Sequence, residues 1–454
     1  MLIWKTQTLN ANLASLRYRC LLPFRYLAHR GIPQHIYGGT DLVELTADTD
    51  AIVFVKSFRN KDVETCDRAA QLGVPIILDL CDNIFIPDYA ADSRYVPADN
   101  FRQMAQKASA IVTTGETLKA AIEAAIAPLN TPVVVIPDGC ETQADLSNAF
   151  RITWWMWLRN QASKMVSRRS LSIYLICRKQ IHRLIHQIYQ KQIYQKAKRR
   201  VKNGVVRLKI QVKQNMGKQE VIQPHEQSVA SKPSADNQTT GRIIVQPTPI
   251  FPQRWPKAQP GTKTILWFGN HGAKYGSFGM SSILQVAPAI EQLSRELPLR
   301  LVVVSNSQTK YERYIEPLPF ETLYLRWHPQ KSYDYIRASD VVIVPNSQSI
   351  FSICKSANRV VLALSQGTPV VASRTPSLDL LQDCVVLDDW YLGLRQYLIH
   401  PAIAQAHVAA AQHAIAQNFS GDKIAQQWLA LIENISNAEN RHPSARPDEV
   451  ANAL

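Results

Sequence analysis

The sequence lacks the patterns that mark secreted, membrane-spanning and zinc-binding proteins. Its seven cysteines are scattered, odd in number and never spaced as CxxC, so neither a disulfide framework nor a zinc site is predicted. No apolar run is long enough to span a bilayer, and the run at residues 2–4 is too short for the apolar core of a signal peptide. We therefore expect a protein of a reducing, cytoplasmic compartment.

Acidic residues are also scarce, and the shortage is local. The chain carries 51 Lys and Arg against 36 Asp and Glu, which gives a net charge of +15. Residues 151–220 alone contain eighteen basic residues and one acidic residue, so the rest of the chain is close to neutral. The basic character therefore belongs to one segment, and this segment divides the sequence.

The stretches on either side of the basic segment alternate short apolar runs with helical patterns. The first contains LIW, AIVFV, PIILDL, AIVTT and VVVIP, and the second contains TILWF, RLVVV, TLYLRW and VVIVP. Such alternation predicts parallel sheets covered by helices on both faces. We predict an α/β protein with two Rossmann-like doubly wound domains at 1–145 and 261–436, a basic helical insert between them, and a disordered tail at 437–454.

The most informative stretch is residues 339–373, SDVVIVPNSQSIFSICKSANRVVLALSQGTPVVAS. It predicts a strand, a loop, a helix that begins near Lys355, and a second strand. The loop lies at the carboxyl end of the first strand, where open parallel sheets bind ligands. Lys355, Asn358 and Arg359 at the helix start predict an anion site, with Lys355 and Arg359 four apart on one helical face.

The order of these elements, with SDVVIVP, ALSQGTPVVAS and the earlier VVVIPDG, resembles the nucleotide-sugar glycosyltransferases of the GT-B fold, and among them the retaining group 1, family 4-like enzymes. The resemblance implies transfer of a hexosyl group from a nucleotide sugar to a glycan or lipid-linked acceptor, as in cell-surface polysaccharide biosynthesis. It also implies that the donor binds the second domain and the acceptor the first, without a cofactor, and that the last helices, near 402–435, cross back to the first domain.

The chain departs from this family at two positions. The retaining enzymes usually carry two glutamates separated by seven residues, and counting back from Gly367 places Cys354 and Leu362 there. Neither side chain accepts a hydrogen bond from a sugar hydroxyl as a carboxylate does. Either the Lys, Asn and Arg cluster forms a variant donor site, or donor binding has been lost. The presence of the cluster favours the variant site.

The remaining donor candidates lie at the ends of predicted strands in the second domain. The loop FGNHGAKYG would let the backbone approach a pyrophosphate, although an ordinary strand-to-helix turn explains this glycine pattern equally well. A tryptophan after the third strand is placed to stack on a base, with a core role as the commoner alternative. The predicted donor-binding residues are Gly269, Asn270, His271, Gly272, Lys274, Ser305, Trp327, Lys355, Asn358 and Arg359.

Polar side chains at the strand ends of the first domain predict the acceptor side. Arg17 and Arg19 open the helix after the first strand, and Lys56 ends another strand. Asp79 and Asp82 are weak candidates for an acid/base pair or for binding acceptor hydroxyls, although a capping role is as plausible. A DxxD pattern indicates a metal only weakly, so we predict no metal site and assign no general base.

The insert at 146–260 is the most unusual part of the chain. Three tryptophans flanked by arginines are followed by Ile and Leu at near-helical spacing among cations, and then by a Gln, Ser, Pro and Thr-rich linker. Such helices lie on anionic surfaces, so residues 151–215 predict binding to an anionic membrane surface, peripheral on its cytoplasmic face. A solvated helical hairpin is the second alternative, and nucleic-acid binding is the least favoured. The alternative to an enzyme is a non-catalytic GT-B-like scaffold or a nucleic-acid-binding protein.

Overall fold

The computed structural model describes residues 1–39, 41–46, 48–86, 97–166, 259–270, 272, 278–329 and 331–441, without the side chains of 159–166 and 438–441. Met1–Trp157 and Ala258–Leu454 form one compact unit, and Leu158–Lys257 is assigned to another. The predicted basic insert beyond residue 166, most of the predicted linker and the predicted tail from residue 442 onward lie outside the described residues. Residues 437–441, also predicted to belong to the disordered tail, are part of the last helix. None of the described helices combines the length and the apolar character needed to cross a bilayer.

The first domain is built on a six-stranded sheet in the order β2-β1-β3-β4-β5-β6, with every pairing parallel. Its strands are β1 Leu2–Thr6, β2 Gln34–Gly38, β3 Ala51–Val55, β4 Ile76–Leu80, β5 Ala110–Thr113 and β6 Val133–Val135. The central strands β1, β3, β4 and β5 are buried throughout, which explains their nearly continuous apolar sequences.

The helices of this domain connect the strands in the expected alternation. Helix α1 spans residues 14–29 in three consecutive parts, Ala14–Leu16, a π-helical turn at Arg17–Leu21, and Leu22–His29. The others are α2 Asn60–Gln71, α3 Pro97–Ala105, α4 Glu116–Ile126 and α5 Gln143–Val166.

The second domain has another parallel six-stranded sheet, in the order β12-β11-β10-β7-β8-β9. Its strands are β7 Lys263–Phe268, β8 Leu299–Ser305, β9 Glu321–Arg326, β10 Val341–Val344, β11 Val370–Ala372 and β12 Val386–Leu387. Its helices are a 3₁₀ segment Gly279–Gln285, α6 Ala287–Ser294, α7 Gln308–Tyr314, α8 Ser332–Arg337, α9 Ile350–Ile353, α10 Asn358–Ser365, a 3₁₀ segment Pro376–Cys384, α11 Trp390–Ile399, α12 Pro401–Asn418 and α13 Gly421–Arg441. The predicted pair of Rossmann-like domains is confirmed.

The first sheet has a core on each face because side chains alternate along its strands. One face carries Ile3, Ile52 and Leu78, and the other carries Trp4, Val53 and Ile77. Helix α13 completes the second face, since Trp428 packs edge-on against Trp4 with ring centroids 5.1 Å apart. The last helix therefore crosses back to the first domain, as predicted.

The first part of α5 also belongs to the core of the first domain. Leu146 and Ala149 are buried, and Phe150 and Met156 pack against the same face of the sheet as Trp428. The structure therefore corrects the predicted start of the insert at residue 146. The compact unit continues to Trp157 because the apolar side of α5 is needed to cover the sheet.

Candidate functional site

Each sheet has one point at which the strand order reverses. In the second sheet this switch point lies between β7 and β10, because β8 and β9 extend to one side and β11 and β12 to the other. The loops after β7 and β10 therefore leave in opposite directions and open a crevice at the carboxyl edge of the sheet. Gly269 follows β7 and Asn346 follows β10, so these residues flank the crevice.

Arg359, the second residue of α10, lies at this switch point. Its Nη2 donates a hydrogen bond to Asn346 Oδ1 at 3.0 Å. A methyl group added to Gly269 would lie 3.4 Å from Arg359 Nη1, so the guanidinium also adjoins the loop after β7. Ser305 ties that loop to β8, because its Oγ donates to the Gly269 carbonyl oxygen at 2.9 Å. The structure thus brings together three predicted donor residues.

The electrostatic setting of Arg359 distinguishes it from the other cations of the site. It forms no ion pair with any residue that the structure describes, and the group that accepts its hydrogen bond is the neutral side chain of Asn346. Burial lowers the pKa of Arg359 to about 10, which still leaves the guanidinium charged at neutral pH. A partly buried cation without a carboxylate partner favours an anionic ligand, and the planar guanidinium suits a phosphate group.

The loop after β7 contains a glycine that no other residue could replace without strain. Gly272 has φ +87°, and a Cβ there would lie 2.1 Å from the carbonyl oxygen of Phe278. Asn270, two residues before it, is exposed. Two predicted donor residues of the same loop, His271 and Lys274, lie outside the described residues.

Trp327 follows β9 at the same edge of the sheet. It is half-buried, and its backbone N–H donates to the Ser305 carbonyl oxygen at 2.8 Å. Its position is compatible with a base stacked on the indole, and that role stays a prediction.

The structure separates Lys355 and Asn358 from Arg359, so the predicted arrangement of Lys355 and Arg359 on one helical face is wrong. Lys355 precedes α10, because residues 354–357 form the turn between α9 and α10, where helical spacing does not apply. Its ammonium group pairs with Asp82 of the first domain. Asn358 Nδ2 donates to Asp138 Oδ2, also of the first domain, at 3.3 Å.

Asp82 is a bridge between two cations rather than one half of an acid/base pair. Lys56 and Lys355 each donate to one of its oxygens. Burial acts to raise the pKa of Asp82, but the two ammonium groups outweigh it and hold the pKa below its ordinary range. Lys56 has φ 46°, an uncommon conformation for a residue with a side chain, at the carboxyl end of β3.

Arg19 and Asp79 form a buried pair inside the first domain. Arg19 donates to both oxygens of Asp79, with Nη2 to Oδ2 at 2.6 Å, and its Nη1 donates to Asp138 Oδ1 at 3.3 Å. Arg19 is 1% exposed and Asp79 is fully buried. The predicted roles of Arg19 on the acceptor side and of Asp79 in catalysis are therefore not supported, because neither side chain reaches solvent.

Arg17 also forms an ion pair within the fold. Its Nε donates to Glu141 Oε1 at 2.7 Å, and the hydroxyl of Tyr333 from the second domain donates to Glu141 Oε2 at 3.1 Å. Burial acts to lower the pKa of Arg17, but the charge of Glu141 raises it overall. The pair joins the π-helical turn of α1 to the second domain instead of presenting a cation to an acceptor.

Sequence reasoning missed four residues at these contacts: Asn346, Asp138, Glu141 and Tyr333. Asn346 and Asp138 share a recognisable signal, because each is a polar residue that follows an apolar strand and a proline in VVIVPN and VVVIPD. Glu141 and Tyr333 have no comparable signal. Among the described residues, no group of three His, Cys, Asp or Glu side chains is placed to hold a metal ion.

The chain is similar to several solved structures. The Anabaena HepE protein, crystallised with UDP and glucose, is 13% identical, with a TM-score of 0.47 over 95% of this chain and 99% of that chain. A glycosyltransferase from Rickettsia africae ESF-5 is 10% identical, with a TM-score of 0.48 over 96% and 98%. A UDP-forming α,α-trehalose-phosphate synthase from Burkholderia xenovorans is 12% identical, with a TM-score of 0.46 over 92% and 78%.

No protein-family model matches the chain, and no curated protein matches it. At these identities and TM-scores, what this chain binds has to be inferred from its own side chains.

Proposed function

We propose that the protein is a glycosyltransferase that takes a sugar from a nucleotide-sugar donor. The observation that carries this proposal is Arg359, a charged guanidinium at the switch point of the second sheet whose described partner is neutral. Gly269 beside it lacks a side chain that would fill the crevice. The diphosphate of a nucleotide sugar is negatively charged, and two of its oxygens can accept parallel hydrogen bonds from the planar guanidinium.

In this reaction the bond between the anomeric carbon of the sugar and the diphosphate oxygen breaks, while the oxygen of an acceptor hydroxyl bonds to the same carbon and its proton passes to the departing diphosphate or to water. Negative charge grows on the departing nucleoside diphosphate, and Arg359 would stabilise that charge. The acceptor would be a glycan or a lipid-linked glycan that approaches from the side of Lys56. The GT-B-like motifs favour retention of the anomeric configuration.

The direct test is calorimetric titration with UDP, other nucleoside diphosphates and nucleotide sugars. Arg359→Ala should weaken binding by about 1.5–3 kcal/mol, because it removes a charge-assisted hydrogen bond to phosphate. Lys355→Ala should cost less, since Asp82 already neutralises that ammonium group. Arg374→Ala is the matched control, because Arg374 is an exposed arginine that follows β11 at the same edge. Equal affinities in the wild type and Arg359→Ala would contradict the proposed site.

Helix α5 supports the further proposal that the enzyme works at an anionic membrane surface. Arg151, Trp154 and Trp157 lie three residues apart on the exposed side of the helix, opposite the buried Ala149 and Thr153. The two tryptophans are 53% and 55% exposed, an unusual state for such large apolar side chains. Indole rings favour the interfacial region of bilayers, and the basic sequence that follows favours anionic lipid.

Co-sedimentation with vesicles tests this surface. Trp154→Ala/Trp157→Ala should reduce binding to phosphatidylserine-containing vesicles, and binding of the wild type should weaken with salt. Leu392→Ala serves as the control, because Leu392 is 58% exposed in the second domain. Failure of the wild type to bind anionic vesicles would reject the membrane proposal, and binding to duplex DNA alone would favour a nucleic-acid partner.

A further inference from the structure

Asp138 of the first domain contacts the residues that begin the helix carrying Arg359. Its Oδ2 accepts hydrogen bonds from Ser356 Oγ at 2.6 Å and from Asn358 Nδ2 at 3.3 Å. Helix α10 begins directly at Asn358, and its cap residue, Ala357, provides no side-chain hydrogen bond of its own. A carboxylate from the other domain therefore fixes polar side chains at a helix start that lacks its own side-chain cap.

The frame around Asp138 is rigid. Its Oδ1 accepts from Arg19, and Arg19 is fixed in turn by three hydrogen bonds to Asp79 and one to the carbonyl oxygen of Ile136. The backbone beside Asp138 is equally constrained, since a Cβ on Gly139 would lie 2.5 Å from a methyl carbon of Leu22 in α1. Any displacement of Asp138 would therefore disturb a buried ion pair and a packed backbone.

The charges around Asp138 explain why its carboxylate accepts hydrogen bonds from the second domain. Arg19 lies between two carboxylates, so one guanidinium faces two negative charges inside the first domain. The hydroxyl of Ser356 and the amide of Asn358 supply further donors to Asp138 on its outer side. The positive end of the α10 dipole lies at the same place, which favours a carboxylate there.

We infer that Asp138 is a positioning residue for the donor site: through Ser356 and Asn358 it holds the start of α10 so that Arg359 faces the switch point. This inference rests on the proposed function, because it gives Arg359 the diphosphate as its ligand. The first domain thereby contributes to donor binding through a residue that does not itself contact the donor.

A double-mutant cycle read by UDP titration separates positioning from general support of the fold. Asp138→Ala should lower UDP affinity about tenfold when Arg359 is present and by less than about twofold in the Arg359→Ala background. Ser356→Ala/Asn358→Ala removes the same contacts from the other domain and should reproduce this loss without adding to it. An equal loss with and without Arg359, or no loss, would overturn the inference.

The matched control is Asp145→Asn. Asp145 is another buried carboxylate of the first domain, and its described partners, Arg25 and Thr142, also belong to that domain. This variant should lower thermal stability while leaving UDP affinity unchanged. A loss of affinity in Asp145→Asn equal to that in Asp138→Ala would mean that general destabilisation explains both, which would also overturn the inference.

Hydrogen exchange gives a readout that does not depend on nucleotide. The amides of residues 358–365 should exchange faster in Asp138→Ala than in the wild type or in Asp145→Asn. Unchanged protection would show that Asp138 does not order the helix and would overturn the inference. If the wild type binds no nucleotide, both the proposed function and the donor-positioning role of Asp138 are wrong. The hydrogen-exchange data would still decide whether Asp138 orders α10.

Discussion

The carboxyl edges of the two sheets both carry cations, but they use them differently. At the first edge Arg19 is held by Asp79 and Asp138, and Lys56 is held by Asp82. At the second edge the guanidinium of Arg359 rests against the amide of Asn346. Arginines at equivalent edges of two similar sheets thus differ in role. Arg19 at the first edge forms ion pairs that support the fold, whereas Arg359 at the second edge keeps a charge that no described carboxylate neutralises.

The difference shows that the partner of a cation, rather than its place in a Rossmann-like domain, decides what it can do. A buried cation with a carboxylate is already compensated, and binding a phosphate there would require breaking that pair. A cation with a neutral partner gains most from an anionic ligand. This is why we propose the donor site at the second edge although more charged residues lie at the first.

The largest expected effect concerns the buried ion pairs at the carboxyl edge of the first sheet. Arg19→Met should lower the free energy of unfolding by about 3–5 kcal/mol, because it leaves two buried carboxylates without their cation. Arg359→Met, the same change at the second edge, should leave stability nearly unchanged, since no described carboxylate depends on it. Urea unfolding of both variants measures the contrast, and equal losses would remove the distinction between the edges.

An intermediate effect concerns Asp82, which joins the two domains. Its folded-state pKa lies below the ordinary value, so its pairing stabilises the protein above the unfolded carboxyl pKa of about 3.9 and is lost as the pH falls through the folded value. Because the three side chains are partly exposed, we expect a contribution of about 1 kcal/mol.

The measurement is the difference in unfolding free energy between pH 6 and pH 3 for the wild type and Asp82→Asn. The variant should lose less stability on acidification than the wild type does. An identical acid response in both proteins would show that the Lys56–Asp82–Lys355 contact contributes nothing to the pH dependence.

The smallest expected effect concerns metal ions. The carboxylates near the interdomain contacts, Asp79, Asp82 and Asp138, are all engaged by cations or hydrogen-bond donors, while the second edge offers a guanidinium for the diphosphate. UDP affinity and turnover should therefore persist in excess EDTA. Loss of either, restored by magnesium or manganese, would make those carboxylates the first metal-ligand candidates.

Much of the fold could be predicted because its signals are local. Apolar runs such as VVIV and AIVFV predict buried parallel strands, and the residues that follow them predict strand-end loops. The convergence of Gly269, Ser305 and Arg359 followed from the same reasoning, because strand ends of one parallel sheet meet at one edge. The start of α10 was misplaced by a few residues, which was enough to give Lys355 the wrong neighbour.

The sequence by itself therefore determined two parallel sheets, their ligand-binding edges and the cations available there. Only the tertiary structure decided which of those cations are neutralised. Arg19 and Asp79 are 60 positions apart and Lys355 and Asp82 are 273 positions apart, whereas helical and strand periodicity relate only residues a few positions apart. Long-range packing decides which charged side chains form ion pairs. Arg359 forms none with a described residue, so its guanidinium favours an anionic ligand.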